Sequence, residues 1–167
     1  MQISRVTIFS FLTFLLLPFS YFFAFMGVLL LLLSVFNLQV LLPVFMLICF
    51  CIYMVTSNRF LQKIKQEQPL NKSLRDWIRV NAYVSIFMSF LFLFNAAVIL
   101  LLPATQLGTL LQPSIDLMGN MANGVSVDTL IHQMKLFSIF LLLLSIVLLV
   151  HIFINFRLQK NHPPTIE

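Results

Sequence analysis

Charge is what this chain has least of. Asp and Glu number five and Lys and Arg ten, together nine per cent of 167 residues, where a soluble domain carries about a quarter. So few ionic groups cannot cover a water-facing surface, which excludes a soluble globular domain. Sixty per cent of the residues are hydrophobic and the mean hydropathy is +1.03, the composition of an integral membrane protein. From Val6 to Asn58 there is no charged residue at all.

Further absences narrow the chemistry. The sequence holds no Gly-rich phosphate loop, no nucleophile motif, and no HExxH or paired-carboxylate signature. No Asp, Glu, Lys or Arg falls inside an expected span, although a proton- or sodium-coupled transporter normally carries an acidic residue there. Cysteine is limited to Cys49 and Cys51. Two positions apart on a helix, they point about 200° away from each other, so they neither share a metal nor form a local disulfide, and they read as apolar residues. The first apolar run lacks an A-x-A-like cleavage site and is too long for an h-region, so it reads as a retained span and not a signal peptide. The net charge of +5 does not point to nucleic acid, because the aromatic-interleaved basic surface that would bind it is absent.

What the sequence does have is long apolar runs. A helix needs about 20 residues to cross the ~30 Å hydrocarbon core, so Val6–Asn58 holds two spans joined by a tight turn at its least apolar point, Ser34–Gln39. The expected architecture is an all-α polytopic membrane protein, a four-transmembrane-helix bundle forming a single membrane domain over 1–167. Its spans are expected near 8–33, 39–57, 81–103 and 136–156, with a basic loop at 58–80 and an outer loop at 104–135. Pro18 is expected to kink the first span, whereas Pro43 lies in the first turn of the second, where a missing N–H costs little. In the outer loop, turn signals at Gln112-Pro113 and Asn123-Gly124 bracket an expected short interfacial helix, Ser114–Met121. Asp128 reads as the N-cap of the last helix.

Charge is concentrated in one stretch, Arg59–Arg79, which holds six of the ten Lys and Arg. It reads as an extension of the second helix, a break near Pro69, and a new helix opened by Ser73 with Asp76 as a capping-box-like partner. In a four-span arrangement Arg5, the six residues of the stretch, Arg157 and Lys160 lie on one side and Lys135 on the other, a strong positive-inside bias. Both termini and the basic loop are therefore expected to be cytoplasmic, in a multi-pass protein of a bacterial inner (plasma) membrane. Arg59, Lys63, Lys65, Lys72, Arg75 and Arg79 are candidates to meet anionic headgroups of the bilayer or a protein partner, at about 1 kcal/mol per cation near the surface. Trp77 between two arginines reads as a headgroup-level anchor.

His151 is the one ionisable side chain expected within a span. As a haem or metal ligand it would need a second ligand, and His132, 19 residues earlier, is expected at the opposite membrane face. Asn155 shares its helical side, and the two read as a polar pair reaching a neighbouring helix or the interface. Asp116, Asp128 and His132 in the outer connection match no ligand spacing. Neither catalytic nor metal-ligating residues nor a cofactor are therefore expected.

Small and weakly polar residues form stripes. On the third span Asn81, Ser85, Ser89 and Asn95 fall on one side with Ala82 and Ala96; on the first Ser20, Ala24 and Gly27 do so with Ser10 and Thr13. Small residues allow close helix approach, and Ser and Asn are expected to bond across the contact, here between the first and third spans. The expected function is that of a non-enzymatic membrane protein acting by association, as an accessory subunit, assembly factor or scaffold, with another membrane protein or with its own copies. The alternative is a component of an oligomeric transporter or channel, in which Asn81, Ser85, Ser89 and Asn95 would line a wet path.

Overall fold

The computed structural model describes residues 2–34, 37–118 and 126–161; the Asn123-Gly124 turn signal and His162 lie outside them. Among the described residues there are helices and no strand: α1 (Gln2–Ser34), a 3-10 turn (Leu38–Val40), α2 (Leu41–Lys65), α3 (Lys72–Leu101), α4 (Ala104–Met118) and α5 (Val127–Asn161). Four of them are long and apolar enough to cross a membrane, over Arg5–Leu33, Leu38–Lys65, Lys72–Leu101 and Val127–Asn161. The fold is an all-α polytopic membrane fold with four transmembrane helices.

The helices outrun the spans read from hydropathy. α1 has 33 residues and α5 has 35, about 50 Å each at 1.5 Å per residue, against a ~30 Å hydrocarbon core. Hydropathy marks only the part immersed in lipid, while backbone hydrogen bonding carries the helix on into the headgroup region. The basic stretch 58–80 has the expected order of helix extension, break and new helix: α2 runs to Lys65, α3 starts at Lys72, and only 66–71 connects them.

That connection is closed by specific backbone bonds. The N–H of Gln68 donates to the Lys63 carbonyl at 3.0 Å and that of Glu67 to Ile64 at 3.2 Å, the paired 6→1 and 5→2 bonds of a Schellman ending. Glu67 occupies the left-handed position that usually falls to glycine, with φ 52°, at a cost of about 1–2 kcal/mol for an L-residue. The next helix is capped by Asn71, not Ser73: the Ser73 N–H donates to Asn71 Oδ1 at 3.4 Å and the Arg75 N–H to the Asn71 carbonyl. Asn71 takes the cap two residues ahead of the Ser73–Asp76 pair, which leaves both of those residues inside the helix.

Two expectations for the second half are also corrected. α4 begins directly after Pro103 and runs through Pro113, so Gln112-Pro113 is no turn. The Leu107 N–H donates to the Pro103 carbonyl and sets the helix going well upstream of Ser114. α5 is capped by Ser126, whose Oγ accepts the Thr129 N–H at 3.2 Å; Asp128 is already in the first turn. α1 runs unbroken across Pro18.

The chain forms two compact units, 1–89 with 147–167, and 90–146. In the first, α1 lies along α2. Gly27 faces Leu47, and a Cβ there would meet Leu47 Cβ at 3.8 Å, an ordinary van der Waals contact. Below it Cys51 Sγ donates to the Ser20 carbonyl at 3.3 Å and Phe23 meets Phe50 edge-on at 5.8 Å. The small stripe of α1 is therefore applied to α2 and, through Thr13, to α5, where α3 was the expected neighbour. α3 reaches the last turns of α5 through Tyr83 and Phe156, 5.9 Å apart. In the second unit Gly108 of α4 faces Val127 and Ile131 at the start of α5, with Leu107 and Ile131 buried. Most of the phenylalanines outside these contacts are exposed along the helices, as lipid-facing side chains would be.

Candidate functional site

The polar side chains of the first unit converge on one point. On α5, His151, Asn155 and Gln159 recur every four residues and share a face; all three are fully buried. Tyr53 and Ser57, one turn apart on α2, and Phe9 and Thr13, one turn apart on α1, meet that face.

The hydrogen bonds run in one direction. The Thr13 hydroxyl donates to the Phe9 carbonyl at 2.7 Å, which uses its only proton, so toward His151 Nε2 at 3.0 Å it is the acceptor. Nε2 therefore carries the imidazole proton and Nδ1 is the lone-pair nitrogen, which accepts from the Tyr53 hydroxyl at 2.8 Å. Asn155 Nδ2 donates to Ser57 Oγ at 2.8 Å and, more weakly, to the Tyr53 oxygen at 3.4 Å. Gln159 Nε2 donates to Asn155 Oδ1 at 3.0 Å. Gln159 Oε1 is the one side-chain atom of the cluster recorded as buried without a partner. The imidazole plane is covered as well: Phe9 stacks on it at 4.6 Å and 17°, and Tyr53 meets it edge-on at 5.6 Å.

His151 and Asn155 are thus a polar pair reaching neighbouring helices, and the cluster binds α1, α2 and α5 together. Tyr53, Ser57 and Gln159 are members that sequence reasoning passed over. The signal was present as four-residue spacings, 53/57 and 151/155/159, on faces otherwise apolar.

The stripes behave differently. Ser85 donates to the Asn81 carbonyl and Ser89 to that of Ser85, each at 2.8 Å, while Asn81 donates to the Trp77 carbonyl. All three residues are buried, but their donors are spent on their own helix, as Ser and Thr in helices commonly do. Bonds across that contact were the expectation; a carbonyl four residues back is always within reach, and it wins. Asn95 also bonds its own helix, at Leu91, and is exposed. Ser20 and Gly27 are buried and Ala24 half-buried.

Of the basic candidates, Arg59, Lys65 and Lys72 are exposed and Lys63, Arg75 and Arg79 half-buried. Lys65 Nζ donates to Ser10 Oγ at 2.9 Å and Lys63 Nζ to the Pro69 carbonyl at 3.4 Å; Arg75 Nε is buried without a partner. Trp77 is 55% exposed, as an interfacial anchor requires. Arg59 and Lys63 overhang an open groove of about 740 Å³ that also touches Trp77. Asp128 and His132 are exposed, and the side chain of Asp116 lies outside the described residues. Among the described residues no three His, Cys, Asp or Glu side chains gather as metal ligands would.

Comparison with protein-family models, with curated proteins and with solved structures finds no match to this chain.

Proposed function

We propose that this integral membrane protein is non-enzymatic and acts by association, as an accessory subunit, assembly factor or scaffold. Both termini and the basic stretch would lie on the cytoplasmic side of a bacterial inner membrane. The observation that carries the reading is the engagement of His151. An ionisable residue inside a membrane is ordinarily the first place to look for chemistry, yet both nitrogens of this one are bonded to protein side chains and its ring is stacked and fully buried. Such a group ties helices together and offers no open position to a ligand. Orientation rests on the bias of cations toward one side of the spans.

The channel alternative requires a wet face on α3. Asn81, Ser85 and Ser89 are buried with their donors engaged, which weighs against it. The test is purification of the tagged chain from its own membranes in mild detergent, with identification of what comes with it. A different membrane protein held at fixed stoichiometry is the expected result. A pure homo-oligomer that conducts ions in proteoliposomes would replace this reading with the channel.

A further inference from the structure

The groove under Arg59 is one end of a longer feature. Along α2, Ile48, Ile52, Thr56, Arg59 and Lys63 recur at spacings of four, four, three and four, within about 80° of one another at 100° per residue. Ile52 lines both the basic groove and an apolar crevice of about 230 Å³ between α1 and α2, whose other walls include Phe23, Ala24 and Gly27. Leu31 and Ile48 extend that crevice toward the far end of α2. One face of α2 therefore changes from wholly apolar to cationic along its length.

The length is informative. From Ile48 to Lys63 is 15 residues, about 22 Å of helix, and one leaflet with its headgroup region is about 20–22 Å thick. The polar end carries two cations and neutral donors such as Gln62, Asn71 and Ser73, and no acidic residue lines it among the described residues. Arg59 is exposed, and its planar fork suits a phosphate. Trp77 lines the same groove, and Trp is the residue type enriched at headgroup level.

We infer that this face of α2 is a binding site for one anionic phospholipid, its phosphate held by Arg59 and Lys63 and an acyl chain laid in the crevice beside Ile52 and Ala24. An acidic protein segment would satisfy the cations but has no use for an apolar crevice running on from them between α1 and α2. Lipid binding on this face does not depend on the presence of a protein partner.

The test uses the full chain in nanodiscs of phosphatidylcholine mixed with phosphatidylglycerol, with retained lipid counted by native mass spectrometry. About one phosphatidylglycerol per chain is expected, preferred at least tenfold over phosphatidylcholine. Arg59→Gln and Lys63→Gln should each lower that preference about fivefold; Arg59 is exposed, so its replacement leaves the core intact. Ala24→Leu should fill the crevice and reduce retention of the long-chain lipid without changing the response to glycerol 1-phosphate. Equal retention of the two lipids by the unmodified protein would overturn the assignment, as would an unchanged preference in the double variant. Competition by glycerol 1-phosphate as strong as that by dioctanoyl phosphatidylglycerol would reassign the groove to a free anion. Displacement of the lipid by a co-purifying acidic protein would reassign it to that partner.

Discussion

Single side chains in this protein divide into those that bond their own helix and those that bond another. Ser85, Ser89, Ser138 and Ser145 all donate to the carbonyl four residues back, so they permit close packing and add little specificity. Tyr53 and His151 cannot reach a carbonyl of their own helix, and being buried they must find partners across the bundle. Removing a shared hydroxyl and removing an orphan should then have different costs. Tyr53→Phe leaves His151 Nδ1 without a donor and is expected to destabilise by about 1–2 kcal/mol, at the upper end of interhelical bonds measured in membranes. Gln159→Met exchanges one unpartnered acceptor, Gln159 Oε1, for another on Asn155, and should change stability by less than about 0.5 kcal/mol. Unfolding in a denaturing detergent titration measures both, and equal costs would contradict the directed network.

Helices here start and stop by local rules. α2 ends in a Schellman arrangement that tolerates Glu67 at φ 52°, and α3 and α5 open on Asn71 and Ser126. The caps expected from sequence, Ser73 and Asp128, are good cap residues two positions too late. Propensity alone does not choose between neighbouring candidates; the choice depends on which residue is still extended when the chain turns into the helix. Asn71→Ala should therefore cost about 1 kcal/mol, whereas Ser73→Ala should be near neutral, because the Ser73 backbone and not its hydroxyl makes the recorded bond. A reversed order in the same unfolding titration would return the cap to Ser73.

For the whole molecule the decisive quantity is the distribution of charge about four spans. Six cations lie between Arg59 and Arg79, at the joined ends of α2 and α3, and Arg157 and Lys160 lie in the last turns of α5. With Cys49 and Cys51 replaced by Ala, single cysteines at Ser73 and Asn161 are expected to react with an impermeant thiol reagent only when the cytoplasmic side is opened, and one at Thr105 from the outside. Changing the six cations to Gln should scramble that pattern. Unchanged labelling would mean that the basic stretch does not set orientation.

The membrane class and the number of spans follow from composition and run length alone, because lipid demands about 20 apolar residues per crossing whatever the rest of the chain does. His151 and Asn155 stood out for the same reason, as polar groups in an apolar medium. Which side chains they meet was decided only in the tertiary structure. Tyr53 and Thr13 lie 98 and 138 residues away from His151, and no local periodicity relates positions on different helices. Their meeting depends on how α1, α2 and α5 rotate about their own axes, which is set by side-chain packing and by the need to pair every buried donor.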